Sequence, residues 1–85
     1  MPPVYVGPNC RVSKALLGPN VVLVSNVIVE DASLENVMAF GDNRAEPGSL
    51  AEWAVLEEKV VLEENWGVIG KEAAPVVMRM QWPSG

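Results

Sequence analysis

Residues 17–29 read Leu17-Gly18-Pro19-Asn20-Val21-Val22-Leu23-Val24-Ser25-Asn26-Val27-Ile28-Val29. Two β-branched runs flank Ser25-Asn26, and Gly18-Pro19-Asn20 precedes the first. Gly and Asn accept positive φ and Pro fixes its own, so these breaks are turn chemistry. Working outward, Val4-Tyr5-Val6 stands before a second Gly-Pro-Asn corner, Gly7-Pro8-Asn9. The first half therefore predicts strands of three to five residues joined by tight corners.

One short unit recurs: a large apolar residue, then Gly, a polar residue or Pro, and Asn or Glu. It appears as Val6-Gly7-Pro8-Asn9, Leu17-Gly18-Pro19-Asn20, Phe40-Gly41-Asp42-Asn43 and Ile69-Gly70-Lys71-Glu72. Val55-Leu56-Glu57-Glu58 returns six residues later as Val61-Leu62-Glu63-Glu64. Steps of six join Val6 to Val12, Leu17 to Leu23, Ile28 to Leu34 to Phe40, and Leu56 to Leu62 to Val68. The joins from Val12 to Leu17 and from Leu23 to Ile28 are one residue short.

This pattern resembles the hexapeptide-repeat family over residues 4–43 and 55–72. The resemblance implies a left-handed parallel β-helix, a prism of short strands with an aliphatic residue pointing inward at every sixth position and Gly and Asn at the corners. It also implies a trimer, the usual assembly of such prisms. The family's acyltransferases and carbonic anhydrases rely on His, which this chain lacks entirely, so the resemblance implies a scaffold version. A small antiparallel β-barrel or sandwich, with the same Gly and Asn residues in hairpin turns, is the alternative architecture.

The hexad pattern breaks at about 44–55, which reads as an inserted loop or short helix. Ser49-Leu50-Ala51-Glu52 has the form of a capping box, with Leu50, Trp53 and Ala54 on one helical face. The rival reading makes Trp53 to Leu56 a strand. Val76 to Trp82 alternates as a last strand, and the ends at 1–3 and 82–85 are expected to fray. The whole, 1–85, is one small β-rich domain, since a chain of 85 residues holds at most one core.

Hydrophobic residues make up 49% of the chain, largely Val, Leu, Ala and Met, a composition suited to sheets. The net charge of −5 opposes the counterion-release attraction that nucleic-acid binding needs. No apolar run approaches the ~20 residues of a membrane span, and the first residues lack a signal peptide's basic and apolar regions. These features predict a cytoplasmic protein or part of an intracellularly assembled particle. Cys10 is the single cysteine, so no internal disulfide forms. Without His the chain lacks the usual general base and zinc ligand. No catalytic residue, metal or cofactor is expected.

Gly41-Asp42-Asn43-Arg44 looks like the corresponding box of type I signal peptidases, but Ser13-Lys14, Ser25 and Ser33 lack that family's Ser and Lys context. Ala39 to Asn43 also looks like the metal-binding motif of haloacid-dehalogenase phosphatases, whose nucleophilic Asp motif is missing here. The plainer reading is a turn in which Asn43 takes the left-handed conformation and Asp42 bonds nearby backbone N–H groups. Gly7, Asn9, Gly18, Asn20, Gly41, Asp42, Asn43 and Gly70 are thus expected to shape turns. Trp53, Trp66 and Trp82 are candidate interaction anchors, against the plainer expectation that at least two pack in the core.

The function expected is a non-catalytic structural or interaction protein that forms a homo-oligomer, such as an accessory or decoration subunit of a virus capsid. Two alternatives accompany it. One is a ligand- or carbohydrate-binding module using the Trp residues; the other is an enzyme subunit whose site, with Asp42, Arg44 and the Glu pairs, is completed by a neighbouring chain.

Overall fold

A computed structural model describes residues 4–79. The strands are β1 (Val4–Val6), β2 (Arg11–Ser13), β3 (Leu16–Leu17), β4 (Val21–Leu23), β5 (Ile28–Glu30) and β6 (Ser33–Ala39), then β7 (Arg44–Ala45), β8 (Leu50–Leu56), β9 (Val61–Leu62), β10 (Gly67–Ile69) and β11 (Val76–Met78). Each strand pairs in parallel with the strand one coil away. Short strands returning in parallel after a full circuit make a β-solenoid of about 4 turns. The antiparallel barrel is excluded by this register: among the described residues the antiparallel contact is an isolated bridge, Lys71 to Ala74.

Val4 pairs with Val21, Val21 with Val37 and Val37 with Ala54, so a coil takes 17, 16 and 17 residues. Five-residue steps between inward residues shorten an eighteen-residue circuit to this length: Val12 to Leu17 in the first coil, Val29 to Leu34 and Leu34 to Ala39 in the second, and Ala51 to Leu56 in the third. The expected short join from Leu23 to Ile28 is instead a six-residue step to Val29. Three faces result. The first holds β1, β4, the C-terminal halves of β6 and β8, and β11; the second β2, β5, β7 and β9; the third β3, the N-terminal halves of β6 and β8, and β10.

Successive side chains of a strand point to opposite faces, so each coil sends a fixed set inward. Leu23, Ala39 and Leu56 stack on the first face, Val29, Ala45 and Leu62 on the second, and Leu34, Ala51 and Val68 on the third, all buried. Burying one Val or Leu fully is worth about 1.5–3 kcal/mol, and these columns form one continuous core. The third coil contributes a ring of small residues, Ala39, Ala45 and Ala51, between larger rings. Ile28 and Phe40, expected to point inward, do not: the inward positions are Val29 and Ala39, and Phe40 is exposed.

The expected insert at 44–55 is instead a regular part of the third coil. Arg44–Ala45 and Leu50–Leu56 are strands, and no helix forms. Ser49 does not cap a helix; its hydroxyl donates to the Glu46 carbonyl at 2.6 Å. The rival reading of Trp53 to Leu56 as strand is the observed one.

The corners explain where the turn residues go. Asn9, Asn26, Asp42 and Lys59 form one column of left-handed residues, Lys14, Asp31, Gly48 and Asn65 a second, and Asn20, Asn36 and Trp53 a third. Asn and Asp tolerate this region because their short polar side chains bond locally. Gly7 serves close approach: a Cβ there would collide with the Val24 carbonyl. Among the described residues no helix is long and apolar enough to cross a membrane.

Candidate functional site

On the first face the outward residues are Tyr5, Val22, Met38, Val55 and Val77, in register across five strands. Val24 and Phe40 extend this surface on one side and are exposed by 38% and 43%. On the other side stands the corner column of Asn20, Asn36 and Trp53. The second face differs, presenting Arg11, Ser13, Ile28, Glu30, Arg44 and Val61 to solvent. The third mixes Leu16 and Ile69 with Glu35 and Glu52. An apolar column facing outward is therefore peculiar to the first face.

A groove of about 600 Å³ runs over that column, with Trp53, Glu72 and Pro75 along its edge. Its wall comes from a local change in coil length. Ala54 pairs with Val76, 22 residues on, so the corner that elsewhere holds one left-handed residue here carries a loop through Lys71 to Pro75. Gly70 lets this loop press on the strand below: its N–H donates to the Glu52 carbonyl at 2.9 Å, and an added Cβ would lie 2.5 Å from the Trp53 carbonyl oxygen.

Trp53 is the unusual member of its column. Asn20 Nδ2 donates to Asn36 Oδ1 at 2.8 Å, and the next coil replaces the third amide by an indole at φ 53°. A bulky residue in this region costs about 1 kcal/mol or more. That cost falls on the residue whose ring borders the groove.

The other expected site residues are spread out. Trp66 is half-buried and packs against the core, Trp53 borders the groove, and Trp82 lies outside the described residues, as do the ends at 1–3 and 82–85. Asn9 and Asn20 take the left-handed conformation. At Gly41-Asp42-Asn43 the expected roles are exchanged: Asp42 takes φ 54° and Asn43 is buried at 2% exposure. The reason is register, because Asn43 occupies an inward column with Val27 and Val60. Its Oδ1 accepts the Gly41 N–H at 2.8 Å and its Nδ2 donates to the Glu57 carbonyl at 2.6 Å, which satisfies the amide in the core.

Asp42 and Arg44 face solvent around one corner, while Glu57-Glu58 and Glu63-Glu64 follow two different faces of the next coil. Among the described residues no three His, Cys, Asp or Glu side chains gather where they could hold a metal. Reading single residues missed the groove, because Tyr5, Val22, Met38, Val55 and Val77 become neighbours only when the coils stack. The signal that could have found them is an outward apolar residue recurring at 16 or 17 positions. No family model, curated protein or solved structure matches the chain.

Proposed function

We propose that this chain is a non-catalytic assembly module, a scaffold version of the hexapeptide-repeat prism, that self-associates as a trimer through the outer side of its first face. The carrying observation is the outward column Tyr5, Val22, Met38, Val55 and Val77, flanked by Val24, Phe40 and Trp53. Five strands about 4.8 Å apart and five residues of about 3.3 Å give a flat projection of roughly 300 Å². The accessible area of the side chains is larger. Contiguous apolar patches beyond a few hundred Å² mark interaction sites. The occupant that suits this face is the same apolar face of other copies, two of which converge on it about a three-fold axis. In this reading the chain takes the place of an accessory or decoration subunit on a larger protein assembly.

The test is molar mass by size exclusion with light scattering across a wide concentration range. A trimer has three times the 9.2 kDa chain mass. Val22→Lys with Val55→Glu, on outward positions, is expected to give a folded monomer. A wild-type chain that stays monomeric at every concentration refutes the proposal. The groove volume also falls within the range of small-molecule sites, about 300–1,000 Å³, which favours a ligand-binding module as second reading. Quenching of tryptophan emission by a small-molecule panel, in a chain that stays monomeric, selects that reading.

A further inference from the structure

The two ends of the solenoid are unlike. In the first coil the inward residues Val4, Val6 and Val12 are 39%, 45% and 39% exposed, whereas Val21, Leu23 and Val29, which occupy the same columns one coil on, are fully buried. At the opposite end Val60 and Leu62 are fully buried and Val68 is 8% exposed. Among the described strands, β1, β2 and β3 each have a partner on one side. The first coil therefore offers an apolar floor rimmed on three sides by parallel strand edges, whose outward N–H and C=O groups form a template for one more strand each.

Charge divides along the same axis. Residues 4–20 carry Arg11 and Lys14 and no Asp or Glu, while 21–36 carry Glu30, Asp31 and Glu35, and 54–70 carry Glu57, Glu58, Glu63 and Glu64 against Lys59. The open end is thus basic, as to a lesser degree is the 71–79 segment with Lys71 and Arg79 against Glu72, while the three coils between them are each net acidic. A second copy docked open end to open end sets Arg11 and Lys14 against themselves. A second copy docked by its other end meets the open floor with Leu62 and Val68, already covered, on two faces, and on the first with β11, whose inward Val76 and Met78 are half-buried.

We propose that this end is a docking surface for an acidic polypeptide segment that adds as one further parallel coil. Recognition has three parts. The ladder edges of β1, β2 and β3 supply backbone hydrogen bonds, as in other strand-addition sites. Val4, Val6, Cys10, Val12 and Leu17 take alternate aliphatic side chains from the segment. Arg11 and Lys14 select acidic residues at its corners. The segment's chemistry is that of this chain's own later coils, with aliphatic residues two apart on each face and carboxylates at the corners.

The test uses a synthetic peptide with the sequence of residues 54–70, and the same peptide with its four Glu changed to Lys, each titrated into the full chain and followed by amide hydrogen exchange. The acidic peptide is expected to bind and to protect the amides of Val4–Val6 and Arg11–Ser13. The Lys peptide is expected to bind at least tenfold more weakly. Arg11→Glu with Lys14→Glu, both exposed positions, is expected to weaken the acidic peptide at least fivefold and leave the thermal midpoint unchanged. Equal binding of both peptides, protection confined to other strands, or no binding at millimolar peptide overturns the proposal. So does protection of these strands by self-association in the absence of peptide, which makes a second copy the occupant. The assembly face is tested separately by Val55→Glu alone, since β8 is separated from β1 by β4 and β6.

Discussion

Removing the buried amide of Asn43 tests how the solenoid keeps a polar side chain in its core. In Asn43→Ala the Gly41 N–H loses its acceptor and the Glu57 carbonyl its donor. Gly41 and Asn43 are buried, so water does not readily reach the Gly41 N–H, whereas Glu57 is half-buried and its carbonyl is partly wet. Each buried group left unsatisfied costs about 1–3 kcal/mol. The dry N–H at about 1–3 kcal/mol and the partly wet carbonyl at about 1 kcal/mol together give an expected loss of about 2–4 kcal/mol, a large share of the roughly 5–15 kcal/mol that holds a domain folded. With a urea slope of about 1–3 kcal/mol/M, the unfolding midpoint should fall by roughly 1–4 M. The assay is urea unfolding followed by tryptophan emission and circular dichroism. A loss below about 0.5 kcal/mol, less than the typical hydrogen-bond contribution, would refute the bridging role.

Asn43→Asp sharpens the same test through its sign with pH. The carboxylate keeps the acceptor for Gly41 N–H but sets an anion against the Glu57 carbonyl oxygen. Burial and that contact hold the folded-state pKa above the unfolded value, so the native state binds more protons. Stability is then greatest below the unfolded carboxyl pKa and falls as pH rises through the carboxyl range to the folded value. Wild type at the same position is expected to show no such slope. A variant whose loss is constant with pH contradicts this geometry.

Other outcomes follow from the packing. Leu62→Ala, at a fully buried site, is expected to cost about 2–5 kcal/mol in urea unfolding. Gly70→Ala sets a methyl 2.5 Å from the Trp53 carbonyl oxygen and 2.7 Å from the Val76 nitrogen; it is expected to displace the 71–75 loop, seen as faster amide exchange there, and to cost about 1–3 kcal/mol. Trp53→Asn relieves the left-handed backbone cost of about 1 kcal/mol while removing the groove's aromatic border. Its thermal midpoint is expected to stay near wild type while dissociation of the proposed trimer becomes at least tenfold easier by light scattering.

Much of the solenoid is legible in the chain because its inward residues recur. Val6, Val12, Leu17, Leu23, Leu34, Leu56, Leu62 and Val68 mark the true columns. The stretch at 44–55 reads as a break because its inward residues are Ala45 and Ala51, and a search for large aliphatic residues passes over a small one. Phe40 misleads for the converse reason: the larger of two adjacent apolar residues faces solvent, and Ala39 faces the core. Asp42 and Asn43 exchange roles because a one-residue shift in strand register inverts which side chain points inward. The outward apolar column is not legible locally, since its neighbours are one full coil apart in sequence. The wall of its groove depends on five extra residues at one corner, whose path no short motif specifies.

The ring of Ala39, Ala45 and Ala51 in the third coil has a consequence for how the molecule melts. Stacked repeats are commonly held by nearest-neighbour interfaces, so that coils can peel away one at a time. Protein interiors are filled to crystal-like density, so the room left over this narrow waist is taken up by the larger rings on either side, Leu23, Val29 and Leu34 above and Leu56, Leu62 and Val68 below. Rings that fill this room tie the second coil to the fourth, and the middle of the stack is then expected to unfold as a single three-coil unit, with one common amide-exchange rate across 21–70.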